Sequence, residues 1–161
     1  MNYHDRAKAD IDTAKLIMSP IGNPANDEGI YDIASYHVQQ AYEKEIKYIL
    51  HDICGADDST RKFKIHDIPA LIGQVEEFGI TIPDYVKVRA EDLTDWEVAS
   101  RYGGNMVADI VEIKDAITHF DRFVDFVSNE IDIDKEDLDT VELSKKDEVI
   151  TDGDDCDYDT V

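Results

Sequence analysis

Met106-Val107-Ala108-Asp109-Ile110-Val111-Glu112-Ile113-Lys114-Asp115-Ala116-Ile117-Thr118-His119-Phe120-Asp121-Arg122-Phe123-Val124-Asp125-Phe126-Val127 is the stretch that decides the fold. Met106, Ile110, Ile113, Ile117, Phe120, Val124 and Val127 recur in steps of four and three. A helix turns once in about 3.6 residues, so this spacing stacks the apolar side chains into one stripe. Phe123 and Phe126 add apolar surface beside it. A stripe sustained over so many turns needs apolar partners along its whole length, as a helical bundle provides.

Upstream the same period returns. Tyr3, Ala7, Ile11, Ala14 and Met18, with Ile17 beside them, predict a first helix stopped at Ser19-Pro20, because proline has no N–H with which to continue it. The Pro-, Gly-, Asn- and Asp-rich segment 20–29 reads as a loop. A second helix is expected from Ile30 to Cys54. Ala34, Val38, Ala41, Glu45 and Tyr48 form one stripe, and Tyr42, Ile46, Ile49 and Ile53 widen the apolar arc. So broad an arc implies contact on more than one side. Gly55 is placed to end this helix. Asp67 is a good N-cap with Pro69 in the first turn of a third helix, which carries Ile68, Leu71, Ile72 and Val75 and stops at Gly79. Pro83 opens a fourth, through Val86, Ala90 and Leu93 to Tyr102. Thr94 and Glu97 are spaced to renew its capping. Gly103-Gly104 breaks it before the deciding stretch. No useful strand alternation appears in residues 1–129. The fold class is therefore all-α, an up-and-down bundle of about five helices.

Charge divides the chain in two. Its 161 residues carry a formal charge of −22. Residues 1–129 hold 13 basic and 24 acidic side chains, and residues 130–161 hold 3 and 14, so each part contributes −11. The expected organisation is a helical bundle over 1–129 and an acidic, disordered tail over 130–161. The field of such a chain repels phosphate backbones and anionic lipid, which disfavours nucleic-acid and membrane partners. Asp152-Gly153-Asp154-Asp155-Cys156-Asp157-Tyr158-Asp159 is rich in oxygen ligands but lacks the ligand spacing of a calcium loop. Cys54 and Cys156, far apart, read as free thiols of a reducing compartment. With no leader-like or bilayer-length apolar run, a cytoplasmic protein is expected. No Gly-rich phosphate loop or His–Cys cluster is present, and no cofactor or metal is expected.

Three motifs add a resemblance. Ser35-Tyr36-His37-Val38-Gln39-Gln40-Ala41-Tyr42-Glu43-Lys44-Glu45-Ile46-Lys47, then His66-Asp67-Ile68-Pro69-Ala70-Leu71, then Leu93-Thr94-Asp95-Trp96-Glu97-Val98-Ala99-Ser100-Arg101-Tyr102 stand in the order seen in HEPN domains, which the chain resembles from residue 3 to about 128. The resemblance implies a helical bundle and a homodimer. It also implies a prokaryotic setting in which such a domain accompanies a minimal nucleotidyltransferase, sometimes as a toxin–antitoxin pair, or binds a nucleotide. Some branches are metal-independent ribonucleases that use an Arg, four to six intervening residues, and a His.

Arg61-Lys62-Phe63-Lys64-Ile65-His66 has that spacing, but it lies at the start of the third helix, whereas the nuclease motif belongs near Arg101. No His follows Arg101 until His119, and Tyr102 replaces the polar residue expected after the Arg. Arg61 and His66 are therefore weak catalytic candidates, and the expectation leans to a non-catalytic module. Arg61, Lys62 and Lys64 form a basic cluster that would suit an anion if it faced the N-terminus of the third helix. His37, Gln40, Lys44, Lys47 and His51 form a polar stripe on the second helix, with Glu43 and Lys47 an i, i+4 pair. His37, Gln40, Glu43, Lys44, Lys47, Arg101 and Tyr102 are the candidates for a ligand groove or a dimer interface. Arg101 could also neutralise Glu43 inside the bundle.

Overall fold

In the computed structural model α1 (Tyr3–Ile17) and α2 (Tyr31–Tyr48) run antiparallel, and α2 is the axis around which the other helices gather. The structure describes residues 1–25, 27–102 and 108–131, with the backbone alone at 28 and 100–102. After α2 come α3 (Ile68–Glu77), the single turn α4 (Asp84–Lys87), α5 (Ala90–Tyr102) and α6 (Ile110–Phe126). All the regular structure among the described residues is helical. Met106 and the tail from residue 132 onward, with its acid-rich 152–159 segment and Cys156, lie outside the described residues.

Local chemistry sets most of the boundaries. Asn2 caps α1 and Asp109 caps α6, each in a reciprocal capping box, with Asp5 and Glu112 returning the bond. The Asp67 carboxylate accepts from the Ala70 N–H, and Pro69 occupies the first turn of α3. Gly55 and Gly79 take φ of 71° and 84°, the left-handed conformation that closes a helix without a Cβ clash.

The structure departs from the sequence expectations at four points. The second helix does reach Cys54, but Ile49–Ile53 widen into a π turn. Ile49 and Leu50 within it are both buried. The expected single fourth helix is two, because the chain turns at Val88-Arg89 and Arg89 there reaches the Asp115 carboxylate of α6. Thr94 does not renew capping of its own helix. Its hydroxyl donates to the Ala90 carbonyl and accepts from the Ile68 N–H, so it satisfies the first turn of α3 instead. The last helix also ends in a π turn, Val127–Ile131, which places Ile131 in the core two residues beyond the expected boundary at 129.

The core gathers round α2 with apolar residues from every other helix, and its aromatic centre lies between α2 and α6. Tyr42, fully buried, meets Phe120 edge-on at 5.1 Å and Phe123 face-on at 6.1 Å. Its hydroxyl donates to the Ala116 carbonyl at 2.7 Å, so a polar tip in an apolar setting is satisfied. Burial pushes the Tyr42 phenol far above its ordinary pKa, keeping the hydroxyl a donor. Ala34, Val38, Ala41, Ile46, Ile113 and Val127 are buried in the same core.

Candidate functional site

The other flank of α2 is polar and is pinned to α1 and α3. Glu43, with its side chain 5% exposed, accepts from three donors. They are Lys47 Nζ at 2.7 Å, Gln39 Nε2 at 2.8 Å and His66 Nδ1 at 3.0 Å. Gln40 extends the chain by donating to the Gln39 carbonyl oxygen. Burial pushes the Glu43 carboxyl up, but the bond and charge of Lys47, with the bonds from Gln39 and His66, outweigh it and hold the group below its usual range. Lys47 is itself nearly buried and lies 5.6 Å from the centre of the Phe63 ring.

A second knot joins α2 to α1. Asp10 accepts from His37 Nδ1 at 2.9 Å through one oxygen and from Lys44 through the other. A third lies near the far end of the pair, where His4 Nδ1 of α1 sits 2.9 Å from Glu45, whose side chain is wholly buried. Sequence reading placed Glu45 on an apolar stripe. Its burial is correct there, and its partner comes from forty-one residues away in the chain, which no local pattern displays.

The structure thus gathers His37, Gln40, Glu43, Lys44 and Lys47 on one helix and gives each a partner from within the chain. His51 sits at the π turn beside Asp52 and Asp58, at 3.3 and 3.8 Å. His66 joins the cluster because it precedes the α3 cap, so its ring falls back onto α2. Arg61 lies elsewhere. With Lys62, Ile65, Ala70, Gln74 and Glu77 it lines a shallow hollow along the flank of α3. Arg101 and Tyr102 close α5, and their side chains are outside the described residues.

The basic cluster does not complete an anion site at the α3 terminus. Pro69 has no N–H, the Ile68 N–H goes to Thr94, the Ala70 N–H to the Asp67 side chain and the Leu71 N–H to the Asp67 carbonyl. Every backbone donor of the first turn is therefore taken. Among the described residues no group of three or more His, Cys, Asp or Glu side chains is arranged to hold a metal ion. No described helix is long and apolar enough to cross a membrane.

A family model described as HEPN domain matches residues 3–131. The chain belongs to the HEPN domain family. The match begins at the first residue of α1 and ends at Ile131, the last core residue of the final π turn. No curated protein and no solved structure shows a significant match. HEPN membership suggests nucleotide-binding or ribonuclease-like functions and a tendency to dimerise.

Proposed function

We propose that this HEPN domain is a non-catalytic interaction module, a homodimer that offers a surface to a minimal nucleotidyltransferase-type protein or to a nucleotide, as in toxin–antitoxin pairs. The observation that carries this reading is the internal pairing of the α2 stripe. Asp10 holds His37 and Lys44, and Glu43 holds Lys47 and His66. Lysines already matched by buried or half-buried carboxylates have little charge left for a transferring phosphate. Of the two partners, the protein is better supported, because the α3 terminus has no donor to lend a phosphate. The dimer would draw on apolar residues outside the core. Helices α2 and α6 commit nearly all of theirs inward, but Leu16, Ile21 and Ile33 are more than half exposed and lie at one end of the α1–α2 pair. Light scattering should give twice the chain mass, and the double variant Leu16→Glu/Ile33→Glu should give the monomer mass.

A second reading, a metal-independent ribonuclease using Arg61 and His66, is favoured by one detail. A carboxylate only accepts, so the Glu43 contact fixes the proton on His66 Nδ1. Nε2 is then turned away from the anchor on a ring 45% exposed. That is how a carboxylate positions a histidine for proton transfer. Purified full-length protein incubated with single-stranded RNA and tRNA in chelator distinguishes the two. Intact RNA from a folded dimer fits the interaction module. Cleavage abolished by His66→Ala overturns it in favour of the nuclease.

A further inference from the structure

Among the described residues, five cations of the fold have an acidic partner within it. Lys15 meets Asp121, Lys44 meets Asp10, Lys47 meets Glu43, Lys87 meets Glu76 and Arg89 meets Asp115. The loop between α2 and α3 instead gathers three cations within four residues. Arg61, Lys62 and Lys64 are all exposed, and among the described residues none of them forms an ion pair. The loop is nonetheless held in place. Thr60 caps a turn by accepting from the Phe63 and Lys64 N–H groups, Phe63 is buried, and Gln74 Nε2 donates to the Lys62 carbonyl at 3.0 Å. The nearby acids do not cancel the three charges. Asp57 is engaged chiefly by Ser59 and only weakly senses Lys64, Asp58 leans toward His51, and Glu77 lines the same hollow without an ion pair to Arg61 or Lys62. The result is a basic, partly apolar trough with Ile65 and Ala70 among its lining residues, on a chain of net charge −22.

Beyond the last core residue, Ile131, the same chain continues for residues 132–161, with 13 acidic and 3 basic side chains. Its first part mixes acids with apolar residues: Ile133, Leu138, Val141 and Leu143 stand among Asp132, Asp134, Glu136, Asp137, Asp139 and Glu142. Thirty residues span at most about 100 Å when extended, while a domain of this size has a radius of gyration of about 14 Å. The segment is therefore long enough to reach any point on the surface. Tethering gives it an effective local concentration of the order of millimolar.

We propose that residues 132–161 dock on the trough lined by Arg61, Lys62, Ile65 and Gln74, so that the domain carries its own acidic competitor for this surface. The segment's carboxylates pair with Arg61, Lys62 and Lys64, and its apolar side chains rest on Ile65 and Ala70. A partner must displace the segment to use the trough, and any phosphate-bearing ligand meets a site already neutralised. This contact is electrostatic and exposed, so it weakens with salt as the Debye length falls from about 8 Å at physiological ionic strength to about 3 Å at 1 M.

Zero-length carbodiimide cross-linking of the full-length protein tests the proposal, with linked peptides mapped by mass spectrometry on a mixture of isotopically light and heavy chains. Lys8 and Lys114, also exposed and without an ion pair among the described residues, are the internal reference. The expected result is that Lys62 and Lys64 link to carboxylates of residues 132–161 several-fold more often than Lys8 and Lys114 do. The links should stay within one isotopic parent and fall to the reference frequency at 1 M salt or in Arg61→Glu. Equal linking at all four lysines, or links from Lys62 and Lys64 only to Asp57, Asp58 or Glu77, would overturn the docking. Links joining light to heavy chains would overturn its intramolecular form.

Discussion

The two faces of α2 are held by different physics on the same eighteen residues. Toward α6, Tyr42 meets Phe120 and Phe123 in a core that also buries Val38, Ile46 and Ile113, where loss of any one group removes buried area and leaves a void. Toward α1 and α3, Gln39, Glu43, Glu45 and Lys47 are nearly as buried, but each is held by a specific donor or acceptor. Packing is non-directional, so the first face tells the helices to associate. The second specifies which helix, in which register, because an unpaired buried charge is costly.

Phe120→Ala should have the largest effect, about 3–5 kcal/mol of stability lost in chemical denaturation. It would sharpen the contrast if the neighbouring helices keep their arrangement. Lys47→Ala tests the other face. It leaves Glu43 buried with only Gln39 and His66, and a loss of about 3 kcal/mol is expected. A loss below 1 kcal/mol would break the comparison by showing that the polar face tolerates an unmatched charge. Thr94→Val removes the acceptor for the Ile68 N–H and should cost about 1–2 kcal/mol, largely restored in Thr94→Ser. Lys15→Ala, at an exposed pair with Asp121, should cost under about 1 kcal/mol.

Acid sharpens the contrast without a change of shape. The Glu43 carboxyl is held below its usual range, so the folded state binds that proton less readily than the unfolded chain does. Its stabilisation is complete above the unfolded carboxylate value of about 4.3 and is lost as pH falls through the lower folded one. Glu43→Gln should therefore flatten the acid limb of the stability–pH curve relative to the parent protein, with little change in its shape above pH 6.

How much of this was legible in the sequence follows the same division. The α6 seam, the Asp67 cap, Pro69 in the first turn and the terminating Gly55 and Gly79 are statements about neighbours a few residues apart, and the structure repeats them. The Glu43–Lys47 pair was legible for the same reason. Asp10 between His37 and Lys44, His4 on Glu45 and His66 on Glu43 were not, since each joins different helices and no periodicity marks a partner far along the chain. Thr94 shows how a local signal misleads. Thr-x-x-Glu is the pattern of a capping box, but here the preceding turn begins at Ala90 and the hydroxyl serves another helix.

That borrowed cap also bears on the order in which the chain folds. Helix α3 is only ten residues long, below the length at which an isolated helix persists in water. Its first N–H waits for a hydroxyl twenty-six residues downstream. The opening turn of α3 is thus completed only when α5 arrives, which raises the contact order of a fold otherwise built from local helices. In a refolding experiment read by pulsed hydrogen exchange, the Ile68 amide should gain protection with α5 rather than with the rest of α3.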